Sequence, residues 1–333
     1  MWKHFVVLLK KDFRMMAAGK FFFLALGSLI VYILFVNFGY TRFMNEQLYH
    51  VYLYDPQGTQ KEISGLIHPV MSLEELNEAL LADTNGVGID AGSGVPEMIM
   101  YAGAEKADRH RADYALSLLQ PDHSYTAQIV GTNTREQKQR KEMSCELLFI
   151  EITAVGFLGI ASVLFKEKQM GVIRVHAVLP FPKSLFVLSK LTAFLLSDLV
   201  FAALLTLLNV GIVDAVELLP AVLMQTGILS LTMALIGFGC AMLLEDFRQF
   251  SLAYLVIALF AATPVFLSAN TSMKMAWIYW HPFYHVYMEL KNAYFGMSVA
   301  NLIYYICSGF GILILFLFVQ SAFRGEMGKE GCL

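Results

Sequence analysis

The sequence predicts an α-helical polytopic membrane protein: six transmembrane helices, an N-terminal interfacial helix and a small α/β extracytoplasmic domain between spans one and two. Three observations lead there. Of the 333 residues, 57% are hydrophobic and only 15% are charged, against about a quarter charged in an ordinary soluble domain. The apolar residues are gathered into long blocks rather than spread at helical or strand period, and about 18 such residues span a hydrocarbon core about 30 Å thick. One long polar stretch, residues 39–146, separates the first block from the second.

Residues 1–20 form the first element. Trp2, Phe5, Val6, Leu9, Phe13 and Met16 recur at three- and four-residue steps, while Lys3, Lys10 and Arg14 take the other face. That pattern predicts an amphipathic helix with its apolar side in the acyl boundary and its cations at the headgroups. It serves either as an anchor alone or also as part of a surface touched by a cytoplasmic partner. The first span covers 21–38. Its basic start and apolar core look like a secretory signal, but it is too long for one, and Val36-Asn37-Phe38-Gly39-Tyr40 lacks a small-x-small cleavage pattern, so an uncleaved anchor is expected.

The polar stretch opens with a strand at 49–54 and the turn Asp55-Pro56-Gln57-Gly58, with Pro at the favoured position. Ser72 and Glu75 make a capping box for a helix running to about Ala82. Strands follow at 86–90 and 97–101 around Gly92-Ser93-Gly94, then a helix at 104–119, a strand at 124–130 and a polar helix at 134–146. The remaining spans are read at 147–165, 186–210, 221–244, 250–268 and 302–320. A cytoplasmic segment lies at 166–185, an aromatic-rich extracytoplasmic connection at 269–301, and a cytoplasmic tail at 321–333.

Orientation follows from the short loops, which obey the positive-inside rule. Lys3, Lys10, Lys11, Arg14 and Lys20 precede the first span; Lys166, Lys168, Arg174, Lys183 and Lys190 lie between spans two and three. Arg248 sits in the turn between spans four and five, and Arg324 and Lys329 follow span six. The third-to-fourth connection carries only Asp214 and Glu217. Both termini are therefore expected in the cytoplasm. The net charge of −3 conceals this asymmetry and gives no ground for a nucleic-acid partner; the expected surroundings are the lipid bilayer.

Soluble catalytic motifs are missing: no G-x-x-x-x-G-K-[ST] loop, no H-E-x-x-H pair, no G-x-S-x-G elbow. The chain is thus expected to be no enzyme and to carry no cofactor or metal of its own. Cys145, Cys240, Cys307 and Cys332 show no metal-ligand spacing and no disulfide framework. His281 and His285 are four apart, but Trp277, Tyr279, Trp280, Tyr284 and Tyr287 around them read as an interfacial aromatic belt rather than a metal site. Intramembrane ionisable groups are functional candidates by default. Asp198 is the clearest, about 12 Å along span three from Lys190 at 1.5 Å per residue, with Ser197 and Asn209 as further polar groups on that helix. Asp198 is either an interhelical hydrogen-bonding group or, with Ser197 and Asn209, part of a substrate path. Glu151 is read near the outer end of span two, reaching the interface.

The segment K-E-K-Q-M-G-V-I-R-V-H-A-V-L-P-F-P-K-S-L-F-V-L-S-K, from Lys166 to Lys190, is too polar to lie in lipid and too patterned for a passive connector. It predicts a short helix at the cytoplasmic surface. Glu167, Gly171, Val172, Ile173 and Pro180, with Lys190 at the start of span three, resemble the acidic residue, Gly-Thr-Leu and Pro of the coupling segment in the permease subunits of bacterial type-2 ATP-binding-cassette exporters. Val172 stands where Thr is common, and Ser189 where Gly usually precedes the Lys. His281-Pro282-Phe283-Tyr284 similarly resembles the Pro-Leu-Thr-Tyr type of segment before the last span, and the six-span layout matches over nearly the whole chain.

The resemblance implies a permease of an ATP-driven exporter in a bacterial cytoplasmic membrane. It implies a separate cytoplasmic ATPase subunit that binds ATP and Mg, and a second permease copy or paralogue. The coupling segment, with Glu167, Arg174 and His176 as polar contacts, would dock in a groove of the ATPase; Gly171 would allow close backbone approach and Pro180 would stop the helix. A rival reading from another class is a membrane-tethered receptor or sensor whose extracytoplasmic domain binds a ligand or partner. A lipid-modifying enzyme would need clustered acid, base or metal groups near one interface, and the sequence shows only scattered ones.

Overall fold

The computed structural model describes the chain apart from residues 1, 41–48, 57, 59–66, 84–85, 93–96, 101–104, 120–134, 179–181, 271–274, 298–301 and 332–333. Two compact units result, one of Met1–Thr41 with Asn133–Leu333 and one of Arg42–Thr132.

The larger unit is a helical bundle. Among the described residues six helices are long and apolar enough to cross a membrane: Phe21–Tyr40, Gln137–Gln169, Lys183–Val210, Ile212–Leu243, Phe247–Ala269 and Leu302–Gly328. The protein is a multi-pass helical membrane protein. The second and fourth spanning helices are the most enclosed, and the first and sixth the least. Glycine permits the central crossing. A Cβ on Gly237 would lie 2.7 Å from the Ile160 side chain and 3.0 Å from the Phe157 carbonyl oxygen. Small residues of this kind let two backbones approach where no hydrophobic force drives helices together in lipid.

Two helices run further than their apolar blocks. The polar stretch Arg135–Ile150 continues without a break through a π-helical turn, Glu151–Gly156, into Phe157–Gln169. The fourth helix starts at Ile212 and takes in Asp214 and Glu217, which the sequence reading leaves in a loop; Asp214 accepts a hydrogen bond from Gln137 Nε2 at 2.9 Å. Gly211, at φ 97°, is the whole connection between the third and fourth helices. The N-terminal helix Trp2–Ala18 buries Leu8, Asp12 and Met16, and a short 3-10 turn, Ala276–Trp280, precedes the helix Pro282–Tyr294.

The smaller unit holds a four-stranded sheet of β1 (Val51–Tyr54), β2 (Ile67–Val70), β3 (Val87–Asp90) and β4 (Glu97–Ile99), ordered β2-β1-β3-β4. β1 pairs parallel with β2 and β3, and β4 closes the edge antiparallel to β3. Side chains alternate across a sheet. Val51, Leu53, Ile67, Val87 and Ile89 pack on one face with Ala115 of the helix Glu105–Leu119. The other face meets the helix Leu73–Ala82, where Leu76 and Leu80 sit over Gly88. That helix starts as its capping box requires: Glu75 N donates to Ser72 Oγ at 3.1 Å, and Glu75 Oε2 accepts from Met71 N at 2.8 Å. The sequence reading has no strand at β2. Pro69 obscures it there, and a proline fits a strand at a sheet edge because one side needs no donor. The expected strand at 124–130 lies outside the described residues.

Candidate functional site

The connector between the second and third spanning helices starts with a reversal. The second helix ends at Gln169, where Met170 N and Gly171 N donate to the Lys166 and Lys168 carbonyls at 3.0 and 3.1 Å. Gly171 then takes φ +68°, the left-handed region in which only glycine escapes a Cβ penalty. No atom lies within 4 Å of where its Cβ would be. Within this chain its role is thus the backbone angle, and the space beside it is open.

A two-turn helix follows, Val172–Val178. It is two-sided. Ile173 and His176 are buried, whereas Arg174 and Val175 are exposed and Val178 is 82% exposed. Val172 is half-buried. His176 Nδ1 donates to the Val172 carbonyl at 2.9 Å, and Lys183 Nζ donates to the His176 carbonyl at 2.9 Å, tying the helix to the start of span three. Burial holds the His176 imidazole below its ordinary pKa, helped by the cations Lys11 and Lys190 and opposed by the Val172 hydrogen bond and by Glu167. Pro180 lies outside the described residues.

Under this helix sits a charge cluster drawn from three segments. Glu167, at the end of span two, is fully buried and pairs with Lys11 Nζ of the N-terminal helix at 2.8 Å and with Lys190 Nζ of span three at 2.6 Å. Lys190, also fully buried, pairs with Asp12 at 2.9 Å, and Ser189 Oγ donates to the same carboxylate at 2.6 Å. Two cations meet two anions, so the cluster is neutral. Glu167 and His176 are two of the three residues expected as polar contacts for a partner. Both are turned inward, and of the three only Arg174 is exposed.

Aromatic rings close the cluster from the side. Phe186 lies 4.7 Å below Lys190 Nζ, 4.7 Å from the His176 ring, and stacks on Phe323 at 4.9 Å and 2°. Lys168 reaches the other way, to Glu326 at 2.5 Å and to the Leu244 carbonyl at 3.2 Å. The helix ends of spans four and six thereby join the site. Sequence reasoning missed Asp12, Ser189, Phe186, Phe323 and Glu326. One signal was available: Asp12 is the only acid in an otherwise basic helix, Trp2–Ala18.

The three substrate-path candidates are not brought together. Asp198 is buried and accepts from Ser230 Oγ of the fourth helix at 2.6 Å. Ser197 turns away, onto an apolar crevice of about 240 Å³ between the first and third helices, lined also by Phe13, Leu29, Val200 and Phe201. Asn209, eleven residues or about 16 Å further on, accepts from Asn37 Nδ2 at 3.2 Å and donates to Ser144 Oγ at 3.1 Å, with Arg140 donating to its carbonyl. Glu151 does not reach the interface as expected. It is buried and accepts from Ser28 Oγ at 2.8 Å and Tyr32 OH at 3.0 Å of the first helix. Neither Glu151 nor Asp198 has a cationic partner among the described residues; hydroxyl groups alone satisfy them.

Among the described residues no group of three His, Cys, Asp or Glu side chains is placed to hold a metal. His281 and His285 turn to different carbonyls, of Phe260 at 3.1 Å and Tyr279 at 2.8 Å. Cys145 is buried and Cys307 exposed, and both are free.

Comparison with protein families, with curated proteins and with solved structures finds no match.

Proposed function

We propose that this chain is the membrane-spanning permease subunit of an ATP-driven exporter, and that the helix Val172–Val178 docks on a separate cytoplasmic ATPase. The observation that carries the reading is the two-sidedness of that helix. Its outer side leaves Val175 and Val178, with Met170 just before it, 54–82% exposed around the cation Arg174. Its inner side packs through Ile173 and His176, the His176 ring against Phe186 of span three, and Lys183 Nζ donates to the His176 carbonyl. An apolar patch with one cation suits a protein groove better than water. Ile173 anchors the helix from within, so its rigid attachment would turn a push on the outer side into displacement of spans two and three and of the N-terminal helix.

In this reading ATP and Mg belong to the partner, two permeases line the path, both termini face the cytoplasm of a bacterium and the sheet unit lies outside the membrane. Asp198 and Glu151, paired among the described residues only with hydroxyls, are the groups a cationic cargo would meet. The test is a pull-down of the tagged chain from native membranes under mild detergent. A stoichiometric nucleotide-binding subunit with vanadate-sensitive ATP hydrolysis is expected; recovery of the chain alone sinks the reading and turns attention to ligands of residues 42–132.

A further inference from the structure

The sequence reading ends span six at residue 320 and places a cytoplasmic tail at 321–333, whereas Leu302–Gly331 is one continuous helix. Its final turns are not free. Phe323 is 1% exposed, stacked on Phe186 and edge-on to Phe238 at 6.0 Å. Glu326 and Met327 are buried too. These turns form the inner wall against which the docking helix rests, since Phe186 touches His176 on one side and Phe323 on the other.

Lys168 joins the parts. It lies three residues before Gly171, its ammonium pairs with Glu326, and it also donates to the Leu244 carbonyl, which follows the fourth helix directly. A helix end leaves its last carbonyls without partners, and a cation there satisfies one and complements the dipole. One side chain therefore connects the end of span two, the end of span four and the end of span six, at 16% side-chain exposure.

We infer that Lys168 is a positioning residue, and that the Lys168–Glu326 pair links the docking helix to spans four and six as the Glu167 cluster links it to spans two and three. This rests on the docking reading for its purpose, though not for its geometry. Movement of the connector then carries the whole inner end of the bundle rather than one hairpin.

The test is hydrogen–deuterium exchange of the full chain, purified alone in detergent, so that no partner enters the measurement. Glu326→Gln and, separately, Lys168→Gln should raise exchange of amides 172–178 and 240–244 about tenfold, the scale of opening set by loss of a partly buried ion pair. The exchanged pair Lys168→Glu with Glu326→Lys should return exchange at 172–178 towards the wild-type rate, while 240–244, which loses the donor to the Leu244 carbonyl, stays raised. Unchanged exchange in both single variants, or a rise confined to 172–178, overturns the link. So does a rise at 172–178 that the exchanged pair leaves in place. If Lys168→Gln does not insert, Glu326→Gln, nearer the chain end, gives the same reading. An ATPase that fails to co-purify with the wild-type chain would remove the docking role and leave the exchange result standing.

Discussion

At the scale of single residues, the position most exposed to damage is Lys190. Among the described residues its ammonium is the only partner of the buried Asp12 carboxylate besides a serine hydroxyl, and it shares Glu167 with Lys11. Removing one member of a buried charge set leaves the others uncompensated, which costs about 3–5 kcal/mol. Lys190→Met should therefore lower the thermal unfolding midpoint in detergent sharply. The combination with Asp12→Asn should recover most of the loss, because Lys11 and Glu167 still pair and no orphaned charge remains. A double variant no better than the single one would show that shape, not charge, holds the site. Gly171 poses a different question. With open space about its Cβ position and φ +68°, the cost of a side chain there is backbone strain of about 1 kcal/mol. Gly171→Asn should be well tolerated and Gly171→Val should not, read as protease resistance of the connector; equal damage by both would point to a steric limit instead.

At the scale of elements, the helix Val172–Val178 is too short to hold itself, since isolated helices of fewer than about 12 residues are marginal in water. It depends on Ile173, His176 and the rings below. That dependence has a pH signature. His176 is held below its ordinary pKa of 6.5 chiefly by burial. The neutral form is the folded one, so its contribution is complete above 6.5 and is lost as pH falls through the lowered folded value, where the unfolded chain binds the extra proton. The unfolding midpoint should fall as pH drops below about 6.5. His176→Asn, which keeps a donor near the Nδ1 position, should flatten that slope; an unchanged slope would assign it to another group. His281 also titrates low for the same first cause, burial, so a residual slope in the variant is expected, and His281→Asn should remove it.

At the scale of the whole molecule, the bundle is centred on the second and fourth helices, and a single hydrogen atom at position 237 sets how closely they cross. Gly237→Leu would drive side-chain atoms into Phe157 and Ile160, an overpacking a close-packed interior cannot absorb. It should abolish a monodisperse peak in size-exclusion chromatography. Gly309→Leu, where nothing lies within 4 Å, should leave it unchanged. If both behave alike, the crossing is not set by that contact. Polar groups within the bundle follow the same logic of enclosure. Asn37, Ser144, Arg140 and Asn209 satisfy one another at one end, Glu151 and Asp198 take hydroxyls further in, and the Glu167 cluster occupies the end beside the helix Val172–Val178.

Six apolar blocks, a capped helix after Ser72 and a basic, proline-ended connector were legible because each depends on neighbours along the chain: hydropathy over a window, a cap and its partner three residues on, a glycine at a reversal. The sequence by itself determined that this is a multi-pass membrane protein with a short helix between spans two and three. It also marked Asp198 as buried, since an ionisable group in a hydrocarbon block has nowhere else to go. Only the tertiary structure decided what faces what. Glu167 carries the same signal whether it meets a partner or, as here, two lysines from positions 11 and 190. Likewise β2 needs β1 beside it, and Glu326 needs Lys168 across 158 residues of chain. Charge pairing and sheet pairing act through space at a few ångströms, and sequence distance holds no record of them.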